Sequence, residues 1–250
     1  MGQAILKKDI GSLRKQAKGE KEIMQLNESL VKTGIEWSKE RMKSVSDDKI
    51  LVQASNALEH LNKVVNETIE RLREWYLLVD SAFEANNDNE FVRNIIARKE
   101  DDIFTSYALL IQELQNKKKE LERFIKEQSK EVMPNFSTLL NPLIAAKLLA
   151  MAGSLEKLAR MTSGTIQLLG AEKALFRHLK DKSISSPKYG IIYNATFIQN
   201  ASDEQKGKVA RLLAAKLMMA ARIDFYSKRD ESQKMLKELE EDIKKLGDRR

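Results

Sequence analysis

The 250-residue sequence contains no cysteine and only two histidines, His60 and His178. Disulfides, thiolate zinc sites, cysteine nucleophiles and all-histidine metal centres are therefore excluded, and no metal or cofactor is expected. No proline precedes Pro134, and no glycine lies between Gly34 and Gly153. The stretch from 35 to 133 thus lacks both common turn formers, and tight hairpins are not expected there. No apolar run approaches the roughly 18 residues that a membrane span requires. The N-terminus shows no basic flank followed by an apolar stretch and a cleavage site, so the expectation is a soluble, unexported chain with no membrane partner. Hydrophobic residues make up 42% of the sequence, enough for one large domain or two ordinary ones.

Helical periodicity fills the turn-poor stretch. Apolar or small residues recur at Leu51, Ala54, Leu58, Leu61, Val65, Thr68, Leu72, Trp75 and Val79, in alternating steps of three and four. This is a heptad seam. After the polar break EANNDNE at 84–90, a second seam reads Ile103, Tyr107, Leu110, Leu114, Lys117, Leu121 and Phe124, with one charged position. Two such segments fold back most simply as an antiparallel coiled-coil arm. About thirty residues at 1.5 Å each make a rod of roughly 45 Å, longer than a compact core needs, which points to spacing or self-association. An ordinary helical bundle remains the alternative.

The net charge of +7 is unevenly placed. Residues 134–227 hold 13 basic and 6 acidic groups, which account for the whole excess, while the segments on either side cancel. A local basic excess is the footprint of a module facing phosphates, or simply of a solvated basic face.

The organisation follows: a helical linker over 1–46, frayed near Gly2, Gly11 and Gly19; the arm over 47–133; a compact helical module over 134–227; and a charged amphipathic helix over 228–250. Pro134 marks the main boundary. Helices are expected at 142–151, 154–161, 166–180 and 203–225, the last opened by Ser202 and Gln205 at capping-box spacing. The strand-like run YGIIYNATFI at 189–198 has no partner and is read as an ordered loop. The fold class is all-α.

Within the module, Lys173, Arg177 and Lys180 form one stripe of the segment GAEKALFRHLK, with Ala171, Leu175 and Leu179 on the opposite, packed face. Lys208, Arg211 and Arg222 share a face of the last long helix. Pairing of Arg222 with Asp224 or Glu172 competes with a role in binding.

GAEKALFRHLK at 170–180, SPKYGIIYNATFI at 186–198 and GKVARLLAAKLMMAARIDFY at 207–226 resemble the signature blocks of the Nop domain. MPNFSTLL at 133–140 and AAKLLAMAGSLEKLARMTSGTIQLLG at 145–170 are similar to its start, and RLREWY at 71–76 to the family's coiled-coil region. The resemblance is closest to the archaeal Nop scaffold of box C/D ribonucleoproteins. It implies a non-catalytic bracket that binds a guide RNA jointly with a kink-turn-binding protein and forms a homodimer through its coiled coil. It also implies support for ribose 2′-O-methylation by fibrillarin, whose docking domain would precede the arm and is expected to be missing from this sequence. An FPEL-like segment usual after RLREWY is replaced by LLVDSAFEANNDNE, so the tip of the arm is expected to differ. An archaeal origin would place the protein in the cytoplasm and a eukaryotic one in the nucleolus.

The residues assigned to RNA on this reading are Gly170, Ala171, Lys173, Arg177, His178, Lys180, Lys182, Lys188, Asn194, Lys206, Lys208 and Arg211. Gly170 and Ala171 would expose helix N–H groups to a phosphate or serve close packing. His178 could touch a base, with packing favoured, and Asn194 could read a polar edge or satisfy the loop backbone. Tyr189 is read as packed. Leu58, Leu61, Val65, Leu72, Leu110, Leu114, Leu121 and Phe124 are assigned to the coiled coil and the dimer. The alternative class is a coiled-coil protein-interaction module without RNA binding; an enzyme acting on RNA would need carboxylates at acid/base or metal spacing, which the module lacks.

Overall fold

The computed structural model describes residues 20–43, 46–98 and 102–247, and among these there is helix but no strand. The chain divides into two units, Met1–Ser46 and Asp47–Arg250. In the first, α1 spans Glu20–Lys43; the fraying expected at the three early glycines falls outside the described residues.

In the second unit, α2 (Asp47–Leu77) and α4 (Ile103–Val132) pair along their length. The pairing is antiparallel: Leu51 to Leu58 share a core with Ile125, whereas Val65 to Tyr76 share one with Ala108 and Ile111. The polar break is more than a connection. It caps a further helix, α3 (Asp88–Ala97), through Asn87, whose side chain accepts from the Glu90 N–H at 3.0 Å. Phe91, Val92 and Ile95 of α3 close the tip against Tyr76 and Ile111.

The seam on α4 differs from the expected one. Its buried residues are Ala108, Ile111, Ile125 and Ser129, while Ile103, Leu110 and Phe124 are exposed and Tyr107, Leu114 and Leu121 are half-buried. The expected seam is rotated by about one residue, some 100° of helix. Both rows have three-four spacing, and the inner one is disguised by polar side chains at its centre. On α2 the expected seam holds through Leu72; Trp75 is exposed and Val79 lies past the helix end.

After the arm come α5 (Pro134–Leu139), α6 (Pro142–Ala152), α7 (Leu155–Arg160), α8 (Ser163–Leu168) and α9 (Glu172–Lys180). A 3-10 turn at Ile191–Asn194, α10 (Thr196–Gln199), α11 (Asp203–Arg222), a π turn at Ile223–Ser227 and α12 (Ser232–Gly247) complete the chain. The strand-like run is therefore a turn and a short helix. Pro134 ends one helix and starts the next, and the larger core takes residues from both sides of it: Leu51, Leu58 and Ile125 with Phe136, Leu149, Leu158, Leu213 and Leu217. Each fully buried aliphatic side chain there contributes roughly 1.5–3 kcal/mol.

Polar contacts fix the arm to this core. Asp48 accepts from the Leu155 N–H at 2.9 Å, and Lys147 pairs with Glu59 at 2.7 Å. The terminal helix docks through Met235 and Leu239, both buried, and through Lys216, which meets Glu238 at 2.7 Å and Asp242 at 3.9 Å. The capping box at Ser202 is not formed. The Ser202 side chain makes no cap bond: the Gln205 N–H donates to the Ser202 carbonyl at 2.8 Å, and the Gln205 side-chain amide reaches towards the Leu246 carbonyl on α12.

Candidate nucleic-acid interface

The segment expected as one helix over 166–180 is two. Between α8 and α9 the backbone turns at Gly170, whose φ of +90° lies in the left-handed region that glycine tolerates. A β-carbon there would stand 2.6 Å from Cγ1 of Ile191. Gly170 N–H donates to the Glu172 carboxylate at 2.7 Å, so the start of α9 carries its own anion and Gly170 serves turning and packing.

The turn leaves α9 outside the core. None of its residues is buried; Leu175 is half-buried and Leu179 is 54% exposed, against the packed face expected for them. Lys173, Arg177 and Lys180 are exposed on it, with Lys182 in the following turn, and none has an ion-pair partner among the described residues. Asp181 caps that turn by accepting from Ser183 N–H at 2.9 Å and Ser183 Oγ at 2.7 Å, which hold its carboxyl below the usual aspartate range. His178 Nδ1 lies 2.5 Å from the Ile184 carbonyl oxygen, which fastens the turn to the helix.

Sequence reasoning missed the apolar component. Phe176 is 61% exposed one turn before the exposed Leu179, and Ile184 in the following turn is exposed as well, so cations and bare hydrophobic surface share one projecting helix. The three-residue step from Phe176 to Leu179 was the available signal.

A second basic feature lies between the 186–191 loop and the start of α11. The loop is stitched to the end of α8: Gly190 N–H donates to the Gln167 carbonyl at 2.8 Å, Ile191 N–H to the Leu169 carbonyl at 2.9 Å, and Gln167 Nε2 to the Lys188 carbonyl at 2.6 Å. This close backbone approach demands glycine, since a β-carbon on Gly190 would sit 2.1 Å from the Leu169 oxygen. Gly190→Ala is therefore expected to cost about 2 kcal/mol and to release the loop, measured as a lower melting temperature with faster amide exchange at Ile191. The stitched loop frames a groove of about 460 Å3 that brings Lys188, Lys208 and Arg211 together beside Glu204.

Lys206 is not on that surface. Its side chain is only 17% exposed, pairs with Asp203 at 2.7 Å and lies over the Tyr193 ring, which stacks on Tyr189 with centroids 4.7 Å apart. The Asp203 bond raises the Lys206 pKa and lowers its own partner's. Arg222 meets neither Asp224 nor Glu172; its Nε donates to the Ala159 carbonyl at 3.3 Å. Asn194 is exposed at the end of the 3-10 turn. Among the described residues no cluster of histidine and carboxylate side chains could hold a metal ion, and no helix is long and apolar enough to cross a membrane.

Comparison with known proteins matches these features to one family. The model described as "Nop: snoRNA binding domain, fibrillarin" matches residues 92–246. A NOP5 family protein of Methanocaldococcus jannaschii is 36% identical over 234 residues, 76% of this chain and 56% of that protein. Nucleolar protein 56 of Schizosaccharomyces pombe is 31% identical over 225 residues, 72% of this chain and 45% of that protein. Nucleolar protein 58 of the same yeast is 31% identical over 244 residues, 82% and 47% respectively. The chain thus spans about half the length of these curated relatives. A chain of the crystal structure of a fibrillarin/Nop5p complex is similar with a TM-score of 0.60 at 26% identity, covering 96% of this chain and 85% of that one. With the family model covering more than half of the sequence, from the tip of the arm to the terminal helix, this chain belongs to the Nop family.

Proposed function

We propose that the chain is a non-catalytic scaffold of a box C/D ribonucleoprotein. It binds guide RNA together with a kink-turn-binding protein and supports ribose 2′-O-methylation by fibrillarin within the longer protein. The observation that carries this reading is the projecting helix α9, whose cations Lys173, Arg177 and Lys180 have no acidic partner among the described residues and share the helix with the bare side chains of Phe176 and Leu179. Cations alone would hold phosphates without choosing among RNAs. An adjoining apolar surface supplies what a composite site needs, a place for the partner protein already seated on the bent RNA.

The second basic feature extends the path, with Lys188, Lys208 and Arg211 offering further phosphate contacts. Six such contacts give a log–log salt slope of about −5. Titrating the chain against kink-turn RNA and its protein at rising salt should yield a slope near that value; a complex indifferent to salt would remove the RNA reading and favour a protein-interaction module.

Self-association is the remaining part of the proposal. Ile103, Leu110, Lys117 and Phe124 recur every seven residues along a flank of α4, about 100° of helix from the row that faces α2, and all but the lysine are large apolar groups left exposed. A second copy would cover that edge. Phe124→Ala is expected to loosen the dimer about tenfold, measured by light scattering across a dilution series. No change in the dilution curve would place the contact elsewhere.

A further inference from the structure

The inner seam of α4 reads Ala108, Ile111, Gln115, Lys118, Glu122, Ile125 and Ser129, a heptad row with three consecutive polar members. Apolar packing stops there, and the two core clusters of the arm end on either side of it. On the facing helix the Asn62 Oδ1 is buried with no hydrogen-bond partner. Polar residues at seam positions and an unpaired buried acceptor both cost stability. Sequences that break a packing rule in this way commonly do so at a functional site.

The interruption opens a cleft of about 640 Å3 between α2, α3 and α4, within the size range of ligand-binding clefts. Its lining combines amides and cations. Asn66, Gln112, Asn116, Lys118 and Lys119 have no hydrogen-bond or ion-pair partner among the described residues. Of the two carboxylates, Asp88 is occupied by Arg73 at 2.8 Å, which leaves Glu122. Helical geometry puts this cleft well over a quarter-turn of α4 away from the edge formed by Leu110 and Phe124, so a second copy seated on that edge does not fill it.

We infer that this cleft in the arm is a further RNA-contacting site, apart from α9 and the groove of Lys188, Lys208 and Arg211, which takes a sugar–phosphate strand through Lys118 and Lys119 and base edges through Gln112, Asn116 and Asn66. Carboxamides pair a donor and an acceptor in the spacing that base edges present, and lysines supply phosphate neutralisation. The three apolar members of the lining, Val65, Ile69 and Val92, stand among ten polar ones, a chemistry that suits a polyanion with polar base edges better than the apolar or aromatic anchor of a protein partner. The inference rests on the RNA-scaffold reading above, and places a contact on the arm in addition to α9.

The test uses the full chain assembled with kink-turn guide RNA containing 4-thiouridine and with the kink-turn protein. Ultraviolet crosslinks are expected to join RNA to a peptide within 112–122 as well as to α9. Lys118→Glu with Lys119→Glu should weaken assembly about tenfold and flatten the salt slope by about 1.4, from 0.7 per single-strand phosphate. Gln112→Ala with Asn116→Ala, which leaves the charge unchanged, should loosen the complex several-fold with helicity intact by circular dichroism. Absence of crosslinks at 112–122 together with unchanged affinity in both double variants overturns the arm site, and does so even where substitutions on α9 abolish binding. Crosslinks from this peptide to the kink-turn protein rather than to RNA also overturn it. If substitutions on α9 are equally silent, the scaffold reading itself has failed.

Discussion

Replacing Asp224 with alanine is expected to destabilise the protein by about 4 kcal/mol, lowering the melting temperature by roughly 10 °C. The carboxylate is buried at the end of α11, where Oδ1 accepts from Asn135 N–H at 3.1 Å and Asn135 Nδ2 at 2.6 Å, and Oδ2 accepts from Phe136 N–H at 2.9 Å. It thereby satisfies the otherwise orphaned N–H groups that open α5. Asn135 passes the connection on: its amide donates to the Arg229 carbonyl at 2.7 Å and its Oδ1 accepts from Glu231 N–H at 2.7 Å, which positions the start of α12. Alanine would strand three buried donors, each costing roughly 1–3 kcal/mol. Calorimetry on the variant measures the loss, and a change below about 1 kcal/mol would show that water replaces the carboxylate without penalty.

The same residue carries a pH dependence of definite sign. Burial raises the Asp224 pKa above the ordinary aspartate value, and the bonds from Phe136 and Asn135 pull it back only in part. The folded chain therefore holds this proton to higher pH than the unfolded chain. Its contribution favours folding on the acid side, and is lost as pH rises from the ordinary aspartate value through the folded one. Asp224→Asn removes this titration, so the stability of wild type relative to the variant should fall with pH across that window. Taking the difference also cancels Asp181, Asp203 and Glu238, whose pKa values are lowered and act in the opposite sense, whereas Asp230, whose charge helps to raise the Asp224 pKa, stays coupled to the substituted position. A difference that grows with pH would contradict the assignment.

Reversing charge at Lys173 and Arg177 is expected to weaken assembly with kink-turn RNA and its protein at least a hundredfold at moderate salt. Two cations that neutralise phosphates become two anions that repel them, and the salt slope should flatten by about 1.8, from 0.9 per phosphate. The fold should be untouched because α9 buries none of its residues; circular dichroism and melting temperature provide that check. Retained assembly with an unchanged slope would detach α9 from the RNA and leave the chain as a protein-interaction module.

Much of the architecture was legible in order along the chain. The absence of turn formers from 35 to 133, the seam on α2 as far as Leu72 and the amphipathic pattern of the last helix each led to the element that the structure contains, whereas the strand-like run, read as a loop, folds as a 3-10 turn and a short helix. The candidate site was legible as a charge excess and a stripe. Its shape was not. Nothing local signals that Gly170 breaks a helix by packing against Ile191, that Gly190 must lie against the Leu169 carbonyl, or that Lys206 is held by Asp203 and Tyr193 while Lys208 has no ion-pair partner among the described residues.

By itself the sequence determined what repeats and what accumulates: an all-helical chain, two long amphipathic segments and a basic surplus confined to 134–227. Periodicity and composition are local quantities, so they survive without knowledge of what lies opposite. The tertiary structure alone decided which of two equally spaced rows on α4 faces inward, and which cations are left without a carboxylate partner among the described residues. Those choices depend on side chains that meet across many residues of chain, as Asp224 meets Asn135, and the free energy that settles them arises only on contact.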